Sequence, residues 1–307
     1  MYWRNKRPLL SIVLIVYDMP AQALRTLQSL LPPYQRNVTL GDYEIIVVEN
    51  ASARALSQQT VEAAGSNVRY FRRAETQRTP VHAINFGARQ ARGSHVAIMI
   101  DGARLLSPGV VRLTLDALRI SPKGIVITPG YHLGNKLQQE AVNEGYDEQV
   151  EAGLMGGIAW PEDGYRLFDI SVFSGSCRGG FFAPIAESNF IACSQDAWKA
   201  VGGMEPRFDD FGGGYANLDL YSRLVNDLAS PCYLLFGEGT FHQFHGGVTT
   251  GTRGEERQRI AQSIRDQYAT LRGVEHRSPR IEPVYFGTLS SQALRFVRKS
   301  LPTQRDD

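Results

Sequence analysis

The stretch LLSIVLIVYDMP, Leu9–Pro20, decides the fold. Its apolar run from Leu9 to Tyr17 is too short to cross a bilayer, stops at Asp18 and leads into no small-residue cleavage site, so neither a membrane span nor a secretory signal is expected there. A run that is apolar at every position fits a strand covered on both faces. Pro20 then opens a helix in which Leu24, Leu27 and Leu31 recur on one side. The same step repeats along the chain. YEIIVVEN (Tyr43–Asn50) is followed by a helix from about Arg54 to Ala64. VRYFR (Val68–Arg72) precedes a helix from about Pro80 to Ala91, which Gly93 ends. HVAIMID (His95–Asp101) leads to a helix capped by Ser107, with Pro108 at its first position, that runs towards Ile120. GIVITPG (Gly124–Gly130) supplies one more strand. This alternation predicts an α/β, Rossmann-type, mostly parallel sheet between helices, and such sheets bind ligands outside the carboxyl ends of their strands.

Beyond Gly130 the pattern loosens. Leu137–Glu151 is polar, and the glycine- and aromatic-rich run that follows reads as an irregular wall. Order returns at SNFIACSQDAWKAVGG (Ser188–Gly203), a strand and a helix capped by Ser194. From Asn217 onward apolar residues recur at helical spacing, the strand CYLLFG follows, and an arginine-rich helix covers about Gly254 to Leu271. With no internal repeat and no clean linker, one compound domain is expected.

The 307 residues carry 33 Lys and Arg against 31 Asp and Glu, a net charge of +2 that leaves no nucleic-acid footprint. Short basic clusters at Arg4–Arg7 and Arg295–Lys299 read as solvated ends or as a peripheral contact with an acidic membrane face. Cys177, Cys193 and Cys232 form neither a CxxC pair nor a disulfide framework, which points to a reducing, cytoplasmic setting.

Four groups of residues could do chemistry. Glu49 and Asn50 end the second strand, where an acceptor could read a base or ribose and where a helix-capping acid is equally at home. Asp101 ends its strand beside Gly102, which suits a metal-bound diphosphate approaching the backbone closely, or simply a turn. GYANLDLYSR delivers Asn217 and Asp219 to a helix start, with a helix-capping Asn217 and an Asp219–Arg223 surface pair as the structural alternatives. EGTFHQFHGG carries Glu238, His242 and His245, short of a full zinc set, so one histidine completing a metal held by Asp101 is the economical reading. His82, His95, His132 and His276 read as ordinary core or surface residues.

These motifs, in this order, resemble family 2 glycosyltransferases of the GT-A, nucleotide-diphospho-sugar transferase fold. SIVLIVYDMPAQALRTLQSLL resembles the family's first strand, turn and helix, with Asp18 where Asn is usual. EIIVVENAS resembles IVVDNGS, and AINFGARQARG resembles RNxGxxxAxG at Asn85, Gly87, Ala91 and Gly93. WKAVGGMEPRF resembles FxxVGGFDExF, and HQFHGG resembles HxHGG. Two departures stand out. The family's Asp-x-Asp reads Asp101-Gly102-Ala103, and its Glu-Asp pair, which supplies the general base, falls on Ala216 and Asn217. An amide cannot take a proton from a hydroxyl at neutral pH.

The resemblance implies a GT-A-like domain over residues 1–250, with a nucleotide-binding half at 1–130, an irregular acceptor-side half at 131–250, and a C-terminal helical extension at 251–307. It implies transfer of a sugar, with inversion, from a UDP- or GDP-type donor to a hydroxyl of a glycan, lipid-linked or small-molecule acceptor, in glycan or surface polysaccharide assembly. The alternative is an inactive module of the same fold that binds sugar nucleotide or glycan. Implied for the donor are Val16, Tyr17, Glu49, Asn85, Asp101, Gly102 and Arg104. Asp101 with His245 and His242 would hold Mg2+ or Mn2+, or Arg104 would supply charge without metal. Asn217 would orient substrate, leaving Asp219, Asp210 or Glu187 as the base, with Asp219 first.

Overall fold

The computed structural model describes residues 7–74, 79–245 and 254–301. Gly246 and Gly247 of the HQFHGG motif, Arg4 in the first basic cluster, and the 250/251 boundary lie outside them. Among the described residues the main sheet has eight strands in the order β12-β10-β6-β9-β4-β1-β2-β3. These are β1 (Leu10–Val16), β2 (Tyr43–Asn50), β3 (Val68–Arg73), β4 (His95–Met99), β6 (Ile125–Ile127), β9 (Phe190–Ser194), β10 (Cys232–Leu235) and β12 (Val284–Phe286). Only β9 runs against its neighbours, pairing antiparallel with both β4 and β6. Every residue of β1 and β2 is buried, which is why both read as unbroken rather than alternating runs.

Helix α3 (Val81–Gln90) lies directly on this sheet because Gly87 has no side chain: a Cβ there would stand 2.4 Å from Val13. Helix α1 (Pro20–Ser29) departs from the expected leucine face. Leu24 is 38% exposed, while Gln22, Thr26 and Ser29 are buried together with Leu27. That polar stripe is a clamp. The Thr26 hydroxyl donates to the Gly102 carbonyl (2.7 Å) and accepts from the Arg104 amide (3.1 Å) and the Gln243 side chain (3.0 Å), and Gln22 Nε2 donates to the Phe244 carbonyl (2.8 Å). Buried polar groups persist only when satisfied, so α1 fixes two loops at once.

A second sheet, β5-β11-β7-β8, was not legible in the sequence. Strand β5 (Arg104–Leu106) lies in what read as a loop before a helix, and β11 (Thr240–His242) in the histidine loop. Strand β7 (Gly130–Leu133) is cut from β6 by Thr128 and Pro129, and β8 is Ser171–Phe173. Residues alternate across this sheet. Tyr131 and Phe241 face an aromatic cluster with Phe168 and Phe296, at centroid spacings of 4.8–5.2 Å. The intervening Arg104, His242 and His132 form one cross-strand row.

Three helical boundaries shift as well. The helix expected from Ser107 is α4 (Val110–Ile120), because the Ser107 hydroxyl donates to Glu238 rather than capping. The expected helix from Arg54 is only α2 (Gln58–Ala63), capped by Ser57. The polar segment 137–151 is partly helical, as α5 (Gln138–Ala141) and the start of α6 (Glu148–Gly157). By contrast α7 (Gln195–Ala200) is capped by Ser194 as expected, and α8 is Ala216–Asn226.

The C-terminal segment is more than a helical appendage. After α9 (Gly254–Arg272), β12 extends the main sheet beside β10, and Phe296 of α10 (Leu294–Ser300) is fully buried in the aromatic cluster. No helix among the described residues is long and apolar enough to cross a membrane.

Candidate active site

Strands β1, β2 and β4 all finish at one edge of the main sheet, and antiparallel β9 begins there, Met99 standing opposite Phe190. Asp101 leaves that edge after β4. Its Oδ1 accepts from the Ala103 amide at 3.0 Å and its Oδ2 from Arg104 Nε at 2.9 Å, with the carboxylate 21% exposed. The second sheet, held by α1, brings the histidines to the same place. Ligand atoms of Asp101, His242 and His245 all lie within 4.8 Å of one another, from sequence positions more than a hundred residues apart.

His242 Nε2 lies 3.1 Å from His245 Nε2, and His242 Nδ1 is 2.5 Å from Gln138 Oε1. Gln138 Nε2 in turn donates to the His242 carbonyl, fixing the ring. Burial, reinforced by the Arg104 charge, pushes His242 far below the ordinary imidazole range. Burial lowers His245 too, against the partial opposition of Asp101. Neutral imidazoles are the metal-competent form. Two nitrogens each about 2.1 Å from one ion at a right angle are about 3 Å apart, so the His242–His245 separation suits a shared cation. A carboxylate oxygen and two imidazole nitrogens are a fitting partial donor set, with positions left for phosphate oxygens.

His132 was missed. It sits beside His242, ring centroids 5.4 Å apart, and burial lowers its pKa to about 3. Its place in the row depends on a partner strand more than a hundred residues away, so no local pattern could have found it. Glu151, also overlooked, is 2% exposed, with its pKa raised to about 7 by burial, and accepts from the Phe244 amide at 2.7 Å. It pins the histidine loop. Arg104 Nη1 is buried without a hydrogen-bond partner.

Other expected residues are placed differently. Glu49 is fully buried and faces its own turn, where it accepts from Ser52 Oγ and, at 3.0 Å, from the Leu56 amide. Burial raises its pKa. These contacts brace the turn after β2, whereas the helix that follows is capped by Ser57 rather than by Glu49. Asn85 spends both ends of its amide on the Met204 backbone, at 2.8 and 3.0 Å, and so joins α3 to the loop before α8. Gly102 serves the close approach to β1: a Cβ there would stand 3.0 Å from the Ile15 carbonyl. Val16 is buried at the strand tip, whereas the Tyr17 ring is 47% exposed beside it. Asp18, at φ +50°, turns the chain there and accepts from the Arg54 amide at 2.9 Å.

At the start of α8, Asp219 is 1% exposed and takes hydrogen bonds from Arg223 (2.8 Å) and Arg272 (2.5 and 2.7 Å). A carboxylate so paired cannot serve as an accessible base, and the Arg223 pair, expected at the surface, is instead buried and shared with Arg272. Asn217 Nδ2 instead donates to Glu187 Oε2 at 2.8 Å and to the Ser188 carbonyl at 3.2 Å. Glu187 is half-buried and lies three residues before β9, on the edge where Asp101 emerges. Asp210 has one buried oxygen without a partner, and burial, then Asp209, raises its pKa. Glu238 stands apart from the histidines, buried among Ser107, Gly109 and Tyr165.

The described geometry has recognisable relatives. S. aureus TarS 1–349 superposes with a TM-score of 0.53 at 10% identity, over 85% of this chain and 65% of that one, and has also been solved in complex with UDP. The mannosyltransferase PcManGT from Pyrobaculum calidifontis, in complex with GDP-Man and Mn2+, gives 0.51 at 14% identity, over 89% of this chain and 66% of that one. The chain thus spans just under two thirds of the TarS 1–349 chain. At these identities the likeness is one of fold. No match is found among the curated proteins. The family model described as glycosyl transferase family 2 matches residues 11–186, more than half of the sequence and including the β1, β2 and Asp101 motifs. The chain belongs to glycosyltransferase family 2.

Proposed function

We propose that the protein transfers a sugar from a UDP- or GDP-sugar to an acceptor hydroxyl in a single displacement that inverts the anomeric carbon. The observation that carries this is the convergence of Asp101, His242 and His245, with Arg104 beside them, at the carboxyl tips of the parallel strands. Ligands of such sheets bind there.

In this reading the Tyr17 ring offers a stacking face for the base, beside the backbone of Val16. Glu187 takes the proton from the acceptor hydroxyl, whose oxygen attacks the anomeric carbon as the bond to the diphosphate oxygen breaks. Asn217 is a positioning residue: it stands where the family carries its base and hands the role to Glu187 through a 2.8 Å hydrogen bond. The base is thereby relocated from a helix start to the turn that leads into β9. The guanidinium of Arg104 stabilises charge growing on the leaving diphosphate, in a buried setting where such an interaction is strong. Asp101, His242 and His245 would hold a divalent ion, and two imidazoles beside one carboxylate suit Mn2+ better than the harder Mg2+. Such an ion, when bound, neutralises diphosphate charge.

The test is release of nucleoside diphosphate from a panel of UDP- and GDP-sugars, with candidate acceptors, with and without Mn2+. Acceptor-dependent release from at least one donor is expected. Nucleotide binding with no release from any donor and acceptor pair would favour a binding module instead.

A further inference from the structure

A wide concavity lies at the other end of the sheet. It is a groove of about 1500 Å3 at the amino ends of the parallel strands, reached from Pro8 before β1, Glu44 in β2, Asn67 before β3 and Gly93 before β4. Strand β1 has seven residues, so about 20 Å of sheet separates this groove from the Asp101 edge.

Among the described residues, five cations line it, Arg7, Arg69, Arg89, Arg92 and Lys199, against the single carboxylate of Glu44. That carboxylate is fully employed as a floor. It is 4% exposed and accepts from Ser11 Oγ (2.7 Å), the Arg92 amide (2.6 Å) and Arg69 Nη1 (3.0 Å). The remaining four cations are exposed, and no described residue forms a side-chain hydrogen bond or ion pair with them. A protein of net charge +2 therefore concentrates unpaired positive charge in one groove. Clefts lined by one sign of charge focus the field and raise the local concentration of opposite ions.

The shape and lining select the class of anion. A flat bilayer does not fill a concavity, and of the large apolar side chains in the lining only Leu40, at 36%, is exposed enough to enter lipid. Nucleic acid would want stacking platforms, yet Tyr43 and Trp198 are only 1% and 7% exposed. What remains beside the cations is a hydroxyl and two carboxamides, Ser66, Asn67 and Gln195, which pair with hydroxyl groups.

We propose that this groove binds an acidic glycan, a chain of hydroxyl-bearing units with repeating carboxylate or phosphate groups, at a site separate from the Asp101 edge. This binding does not depend on the protein being catalytically active.

The experiment titrates the 307-residue protein with labelled polygalacturonate oligomers and, in parallel, with a linear poly(glycerol phosphate), whose units carry hydroxyls between phosphates. Single-stranded DNA and vesicles of anionic phospholipid serve as comparators. Saturable binding to at least one of the first two polymers is expected, tighter than to either comparator, and the polymer that binds identifies the anionic group. A variant carrying Arg89→Ala, Arg92→Ala and Lys199→Ala should lose roughly tenfold or more in affinity, with a shallower salt dependence. A control that removes the same charge elsewhere, Arg178→Ala, Arg280→Ala and Arg298→Ala, should bind as the parent does. All six positions are exposed, and circular dichroism with thermal unfolding of both variants reports an intact fold. No binding to either polymer, equal losses in the two variants, or tighter binding to DNA or vesicles would overturn the proposal.

Discussion

Asp101 and Asp219 are each an aspartate held by arginine, yet only one has anything left to offer. Asp219 is 1% exposed and clasped by Arg223 and Arg272, so its charge is spent joining α8 to α9. Asp101 is 21% exposed, meets one guanidinium, and faces two imidazoles that burial keeps neutral. What separates a working acid from a structural one here is how many cations already claim it. The residue type and its position at an element terminus are shared by both.

The comparison can be broken most sharply at the base. If Asp219 is purely structural and Glu187 takes the proton, Glu187→Gln should lower kcat about a hundredfold to ten-thousandfold while UDP binding holds. Steady-state rates measured beside a nucleotide titration would check this. A rate unchanged in Glu187→Gln would return the role to Asp210.

Asp219→Ala should act on stability instead. Removing one partner of a buried pair leaves charge uncompensated and typically costs about 3 to 5 kcal/mol. Denaturant unfolding should show that loss, and the folded fraction should still bind UDP.

Glu238 sharpens the series as a buried acid whose hydrogen-bond donors are all neutral: Ser107, Tyr165 and the Gly109 amide. Burial raises its pKa to about 7. A carboxyl with a raised folded-state pKa contributes stability that is complete below its unfolded value near 4.5 and is lost as pH rises through 7. Stability should therefore fall between pH 5 and pH 8, by at most on the order of 3 kcal/mol from this group. Glu238→Gln should flatten that part of a thermal-unfolding pH series.

Much of the main sheet was readable because β1, β2 and β4 are buried on both faces and advertise it as apolar runs. The second sheet was not, since its strands are three or four residues long and pair across the chain, as β11 does with β5 and β7. That sheet aims His242 and His132, so the histidine pair could be suspected from its motif while its row could not. The Asp101–His245 association was expected from the family motifs, and the geometry brings the two together. Sequence alone could not tell which acids were already paired. Asp219 and Glu49 kept their motif positions, yet Arg272 and Ser52 occupy them. Only folded contacts distinguish an acid in reserve from one in use.

The most direct test is titration of Mn2+ into the protein in the presence of UDP and, in parallel, of GDP, followed by calorimetry or by the loss of the free-ion paramagnetic signal. One ion per chain should bind, and Asp101→Asn and His245→Ala should each weaken it by at least about tenfold. Absence of Mn2+ binding, or binding unchanged in both variants, would contradict the account.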